Sequence, residues 1–310
     1  MKKALTYTVV SGSRACPNNC PLCISAMTPN YSIDYKEPAV DWRQFDKATQ
    51  IAVHYNARYF LLTSKGEGTL FPAQTTEFLH KVEEKPFDRR ELQTEGSVIA
   101  RGGRLYDEFL RVWRDHGLDL VAVSIYHYNN KKNHEVFRPK ENGPYDLKKL
   151  IDKFHSHNLK VRLSCVMLKG YIDSVEEVAK LIDFSKQNGV FQLTLRKADK
   201  PQNPLDEKVA KYVDEHGVND IEFNTNLANF LEKNGTLCDI LPHGALIYEV
   251  NGQNVGVTTG LSSKFGGKKT RGMADCLKNE PSDEELRQLI FIPPDMLTTS
   301  WENIFGGRIL

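Results

Sequence analysis

Residues 4–23 read ALTYTVVSGSRACPNNCPLC. Residues 4–10 are rich in β-branched and aromatic side chains, the composition of a strand. A short polar run follows, and then three cysteines, Cys16, Cys20 and Cys23, separated by three and then two residues. Half of the chain's six cysteines therefore fall inside eight residues, while Cys165, Cys238 and Cys276 stand alone. This spacing lets one loop wrap three thiolates around a single metal centre. Ferredoxin loops use the same economy with different spacings and a fourth cysteine. Here the intervening Pro17, Asn18, Asn19, Pro21 and Leu22 supply turn formers and no evident fourth ligand. A four-iron cluster held by three thiolates keeps one iron open, and an open coordination position marks a reactive site. The alternative reading is a structural zinc, with His54 or a distant cysteine as fourth ligand.

The rest of the composition bounds the answer. The chain has 310 residues, room for one large α/β domain or two smaller units. With 40% hydrophobic and 26% charged residues it is an ordinary globular sequence. Lys plus Arg total 41 against 40 for Asp plus Glu, so no global charge draws it to nucleic acid. No apolar run approaches the roughly 18 residues of a membrane helix. Met1, Lys2 and Lys3 ahead of an apolar run imitate a signal peptide, but threonines, a tyrosine and the missing cleavage site argue for a first strand. Six cysteines are too few for a secreted disulfide scaffold, and the expected location is cytoplasmic.

Beyond the cysteine loop, helical and strand-like periods alternate. Trp42, Phe45, Ala48, Ala52 and Tyr55 predict a helix over residues 41–56, followed by a strand at 58–63. A helix at 75–84, a strand at 90–94, a helix at 105–116 and a strand at 120–126 continue the series. Leu147, Leu150, Ile151 and Phe154 form the stripe of another helix, before a strand at 160–168. Ser174 and Glu177 read as a capping box for the next helix, and residues 192–196 as a sixth strand. Six such units call for an α/β fold with a parallel sheet, curled into a partial (β/α)6 barrel. Reactive groups then belong at the carboxyl ends of the strands, which is where the cysteine loop begins. The pattern changes near residue 201. Residues 1–200 read as the core domain, and 201–310 as a mixed α+β extension that covers the substrate. In the extension, residues 245–250 and 254–259 flank an Asn251-Gly252 hairpin turn, and residues 289–292 form a short strand.

The cysteine motif, placed after a first strand and ahead of repeated strand–helix units, resembles the radical S-adenosylmethionine (SAM) superfamily. After the second strand, Thr63, Ser64, Lys65, Gly66, Glu67 and Gly68 resemble the Gly-Gly-Glu segment that binds the methionine ammonium in that family. Thr94, Glu95 and Gly96 resemble its Thr-Asn-Gly turn. Ser124, Ser164 and Arg196 stand where family members meet the SAM ribose or carboxylate, and Leu22 stands where an aromatic residue usually packs over adenine. Lys65 in place of the first glycine, Gly68 in place of a proline and Ser164 in place of asparagine are further departures. The pattern is nearest to the branch of molybdenum-cofactor-cyclising and peptide-maturation enzymes.

The resemblance implies one [4Fe-4S] cluster on Cys16, Cys20 and Cys23, with SAM bound beside Glu67. Reductive cleavage of SAM would give a 5′-deoxyadenosyl radical that takes hydrogen from a peptide, nucleotide or small metabolite. A flavodoxin- or ferredoxin-type protein would supply the electron, and no membrane partner is expected. Extra clusters occur in that branch, but Cys238 and Cys276 are too few to hold one. Cys165 reads as a core thiol. Tyr126, His127 and Tyr128 line either a substrate pocket or a packed rim. The Gly-, Ser- and Lys-rich run 261–271 reads as a solvated loop that could also meet an anion. The competing class is a non-catalytic protein that holds zinc or a sensing cluster at the same cysteines.

Overall fold

A computed structural model describes residues 3–31, 33–140, 143–218, 220–241, 245–257, 285–301 and 308–310. All six predicted strands form: β1 Lys3–Val10, β2 Tyr59–Thr63, β3 Arg89–Thr94, β4 Leu120–Ile125, β5 Lys160–Met167 and β6 Gln192–Lys197. They lie side by side in that order, each parallel to the next. Helices α2 Trp42–His54, α3 Pro72–Val82, α5 Gly103–Asp115, α7 Leu147–Ser156 and α8 Val175–Gln187 connect them. Short helices α1 Ile24–Met27, α4 Ser97–Arg101 and α6 Asn130–Phe137 carry no strong apolar period, and the sequence pattern missed them. The sheet does not close, so the architecture is a partial barrel.

Local chemistry explains the helix starts. The side chains of Asp41, Asp146 and Ser174 accept hydrogen bonds from the backbone N–H groups of Gln44, Lys149 and Glu177, satisfying donors that the first turn leaves unpaired. The reciprocal half of the expected capping box gives way to a tertiary contact. The Glu177 carboxylate accepts instead from the Tyr128 hydroxyl at 2.9 Å and from Lys180 Nζ at 2.7 Å.

Alternation along each strand separates two faces. Tyr7 and Val9, Phe60 and Leu62, Val121 and Val123, Leu163 and Cys165, and Leu193 and Leu195 bury into the helix layer. Thr6 and Thr8, Thr63, Glu91 and Gln93, Ser124, Ser164, Thr194 and Arg196 occupy the alternate positions, on the opposite face.

The chain beyond residue 200 extends the same sheet at both ends. Helices α9 Glu207–His216 and α10 Ile221–Asn234 lead to β7 Gly235–Ile240, β8 Leu246–Val250 and β9 Gln253–Val257. Strands β8 and β9 form the expected hairpin, with Asn251 at φ 52° and Gly252 at φ 79°, both left-handed as a type I′ turn requires. Strand β9 then pairs in parallel with β6. At the other end, β10 Glu285–Ile292 pairs in parallel with β1 and carries β11 Met296–Thr298 at its outer edge. Burial on both faces drives this addition. The Phe291 ring packs 5.2 Å from Phe45 in the helix layer, while Ile290 and Ile292 join Val10 and Ile33 on the other side. Each such side chain contributes roughly 1.5–3 kcal/mol when fully buried. Among the described residues no helix is long and apolar enough to cross a membrane.

Candidate active site

The cysteine loop leaves β1 at its carboxyl end and is clamped from a distance. Asn18 bridges Pro139, and the Asn19 N–H donates to the carbonyls of Phe137 and Arg138 at 3.0 and 3.1 Å. Lys140 completes the clamp, its N–H donating to the Pro17 carbonyl at 2.8 Å and its Nζ to the Cys16 carbonyl at 3.1 Å. Beneath the loop, Leu22 (8% exposed) and Cys20 pack with Met27, Tyr126 and Phe137. The three thiols share one neighbourhood. Burial pushes the Cys16 and Cys20 thiols up to about 12, with Glu67, Glu95 and Cys23 adding to the rise at Cys16, and Cys23, Cys16 and Glu95 at Cys20. These groups stay protonated near neutrality unless a positive centre between them compensates the charge.

The loop after β2 docks directly onto this one. The Glu67 N–H donates to the Ala15 carbonyl at 2.8 Å. At Gly66 a Cβ would lie 2.2 Å from that same oxygen, so only glycine permits the approach. The Glu67 carboxylate is 3% exposed and saturated. Its Oε1 accepts from the Thr69 N–H (3.0 Å), the Thr69 hydroxyl (2.7 Å) and the Thr94 hydroxyl (2.8 Å), and its Oε2 from the Glu95 N–H (2.9 Å). Lys65 turns inward as well. Its Nζ donates to the Thr28 hydroxyl at 2.6 Å and lies 5.8 Å from the centre of the Tyr31 ring, and burial lowers its pKa to about 8.

Glu95 is a second buried carboxyl at this end of the barrel, 8% exposed. The Ser97 hydroxyl donates to its Oε1, while its Oε2 and the Asn18 Nδ2 are buried without completing a hydrogen bond. Both side chains line one small recess together with Ser97, Asn133 and Tyr145. Burial first, and the Glu67 charge second, raise the Glu95 pKa from 4.5 to about 7. Between those values the folded chain keeps a proton that the unfolded chain has lost, so this group's stabilising contribution is complete below the lower value and disappears as pH rises through the upper one. In the metal-free chain, Glu95→Gln should therefore reduce the drop in urea midpoint between about pH 5 and about pH 8. An unchanged drop would remove Glu95 as its source.

Three polar side chains stand abreast on the alternate face of the neighbouring strands. Ser124 of β4 is in register with Ser164 of β5, and Ser164 with Thr194 of β6. The two serines are half-buried, and Arg196 is exposed at the carboxyl end of the same strand as Thr194.

A model of the radical SAM superfamily matches residues 10–184, more than half of the chain, from the end of β1 into α8. The chain belongs to the radical SAM superfamily. No curated protein matches its sequence. Among solved structures it is similar to SuiB from Streptococcus suis, bound to S-adenosylmethionine, with 15% identity and a TM-score of 0.54 over 96% of this chain and 58% of that one. Others are anSMEcpe with bound AdoMet, at 17% identity and a TM-score of 0.47 over 74% and 61% of the two chains, and a radical SAM methyltransferase from Sphaerobacter thermophilus, at 16% and 0.47 over 66% and 61%. The chain thus spans about three fifths of the length of these proteins.

The donor set of this radical SAM chain, three cysteine thiols on one loop, fits an iron–sulfur cluster. Zinc bound by thiolates at about 2.3 Å brings tetrahedral sulfurs to roughly 3.8 Å of one another. Among the described residues, one set of three His, Cys, Asp or Glu ligand atoms converges within 4.8 Å, and it contains none of these cysteines. The Sγ atoms of Cys16, Cys20 and Cys23 are therefore not all within 4.8 Å of one another. His54, a fourth ligand in the zinc reading, lies at the end of α2 beside Tyr55.

Tyr126 meets the edge of Phe137 at 4.9 Å, His127 Nδ1 accepts from the Asn129 N–H, and the Tyr128 hydroxyl donates to Glu177. Cys165 is fully buried in β5, and Cys238 is exposed on β7. Cys276 and the 261–271 run lie outside the described residues. Sequence reading missed Asn18, Thr69, Thr194 and the Phe137–Lys140 clamp. Thr194 alone carried a usable signal, its alternation with Arg196 two positions on.

Proposed function

We propose that this chain is a radical SAM enzyme in which Cys16, Cys20 and Cys23 hold one [4Fe-4S] cluster. The observation that carries the reading is the set of three cysteines on one short loop at the carboxyl end of β1, clamped by residues 137–140 and inside the stretch that the radical SAM model matches. When bound and reduced, such a cluster supplies the electron that splits SAM into methionine and a 5′-deoxyadenosyl radical, which takes hydrogen from the substrate. The chain's own residues position and shield. Glu67 braces the tips of β2 and β3 through four donors and holds the Gly66 backbone against Ala15. The SAM ammonium would then meet this turn, with Gly66 allowing the close approach and Glu67 the negative charge. Ser124, Ser164 and Arg196 are the proposed partners of the ribose and carboxylate, supported by their common face and register. Leu22 is the proposed apolar wall for adenine, packed beside Cys20.

Residues 1–200 would form the catalytic core and residues 201–310 the covering extension. The packing of α9 supports this, since Ala210 and Val213 join the same apolar cluster as Leu22 and Met27. The substrate is a peptide, nucleotide or small metabolite, and a flavodoxin or ferredoxin in the cytoplasm is the proposed reductant. Anaerobic reconstitution should yield about four irons and four sulfides per chain. Dithionite and SAM together should then release 5′-deoxyadenosine. A preparation with zinc, no sulfide and no SAM-dependent spectral change would overturn the reading.

A further inference from the structure

The C-terminal ends of α3 and α5 carry a second group of ligand-type side chains. His80 lies in the last turn of α3, Glu83 caps that helix, and His116 caps α5. His80 Nδ1 stands 3.4 Å from Glu83 Oε1, and His116 Nδ1 is paired with Glu83 Oε2. The two imidazoles meet edge to face at 5.0 Å between centres. One ligand atom from each residue lies within 4.8 Å of the other two, a spacing that one ion can bridge.

The supports of this group are rigid. The Trp113 indole N–H donates to the Thr76 hydroxyl at 2.8 Å and fixes α5 against α3. The Arg90 guanidinium donates to the carbonyls of Val82, Glu83 and Lys85 at 2.7–2.8 Å, pinning the end of α3 from β3. An exposed ion pair contributes only about 0–1 kcal/mol, so charge pairing alone gives little return for ordering three side chains. Two imidazole nitrogens and a carboxylate oxygen form a borderline-soft donor set suited to zinc and neighbouring divalent transition metals. Such a set is unsuited to magnesium or calcium, which take oxygen ligands.

We infer that His80, Glu83 and His116 form a divalent transition-metal site of the zinc type, separate from the cysteine loop. Helix α3 runs into β3 and α5 into β4, so the site lies at the amino ends of those strands. The cysteine loop leaves the carboxyl end of β1, at the opposite mouth of the barrel. At that lower mouth residues serve stability rather than chemistry. The ion's role is structural: it staples two helix ends to each other and leaves a solvent-facing position for water.

The inference does not depend on the radical SAM reading, and the test separates the two. Full-length cluster-loaded protein and the full-length Cys16→Ala/Cys20→Ala/Cys23→Ala chain are dialysed against zinc, and bound metal is counted. Each should retain about one zinc per chain beyond any metal at the cysteines, with a higher Tm in its presence. His80→Ala/His116→Ala, and separately Glu83→Gln, should lose both the ion and the Tm gain while keeping the metal-free Tm. Cobalt substituted into the triple-cysteine variant should show ligand-field bands without a thiolate charge-transfer band. Equal zinc in the histidine variants, or no zinc in the triple-cysteine chain, would overturn the site. A thiolate band in the cobalt spectrum would do the same.

Discussion

Replacing Cys16, Cys20 or Cys23 singly by alanine is expected to abolish 5′-deoxyadenosine release, to below detection, and to strip most of the iron. Each thiol holds a different corner of the proposed cluster, and no other cysteine among the described residues is placed to substitute. Cys165 is sealed inside β5, where burial drives its thiol far above the ordinary range. Cys238 sits exposed on β7. The matching controls, Cys165→Ala and Cys238→Ala, should keep their iron and their SAM cleavage. Chromatographic assay of 5′-deoxyadenosine alongside iron and sulfide analysis reads all five variants. Full product from any one of the three loop variants would contradict the ligand assignment.

Gly66→Ala carries the second-largest effect and tests geometry rather than ligand chemistry. Its Cβ would lie 2.2 Å from the Ala15 carbonyl oxygen, 2.6 Å from the Arg14 carbonyl carbon and 2.7 Å from the Ser13 oxygen. All three are backbone atoms of the cysteine loop, so no side-chain rotation relieves the contact. Ordinary contact begins near 3.4 Å, and the two loops must separate by about an ångström. That movement breaks the Glu67-to-Ala15 hydrogen bond. Overpacking of this kind costs typically 1–3 kcal/mol. A displacement of about 1 Å at a site can lower turnover about 100-fold. We expect both losses, read by urea denaturation and by the rate of SAM cleavage per bound cluster. Wild-type rates in Gly66→Ala would show that the two loops need not touch.

The barrel was legible because its units are local. Strand alternation and helix periods such as Phe45, Ala48 and Ala52 involve neighbours in the chain, and the six parallel strands fell where those periods placed them. The cysteine loop was legible for the same reason, since its spacing alone implies a shared centre. Less could be read of its surroundings. Asn18 meets Pro139, and Lys140 meets Pro17, across more than a hundred residues with no periodic signature. Glu95 looked like a turn residue, and only burial next to Glu67 makes it an unusual acid. Residues 201–310 read as a separate extension, yet their strands join both ends of one sheet.

Taken alone, the sequence determined an alternating α/β chain with a three-thiolate loop at the mouth of its first strand. Hydrophobic period and ligand spacing are properties of adjacent residues and survive without coordinates. The tertiary structure decided what clamps the loop and which carboxyl is driven up by burial. It also brought His80 and Glu83 to His116, and set β10 beside β1. Those facts depend on strand register and helix packing between distant segments, which no local pattern encodes.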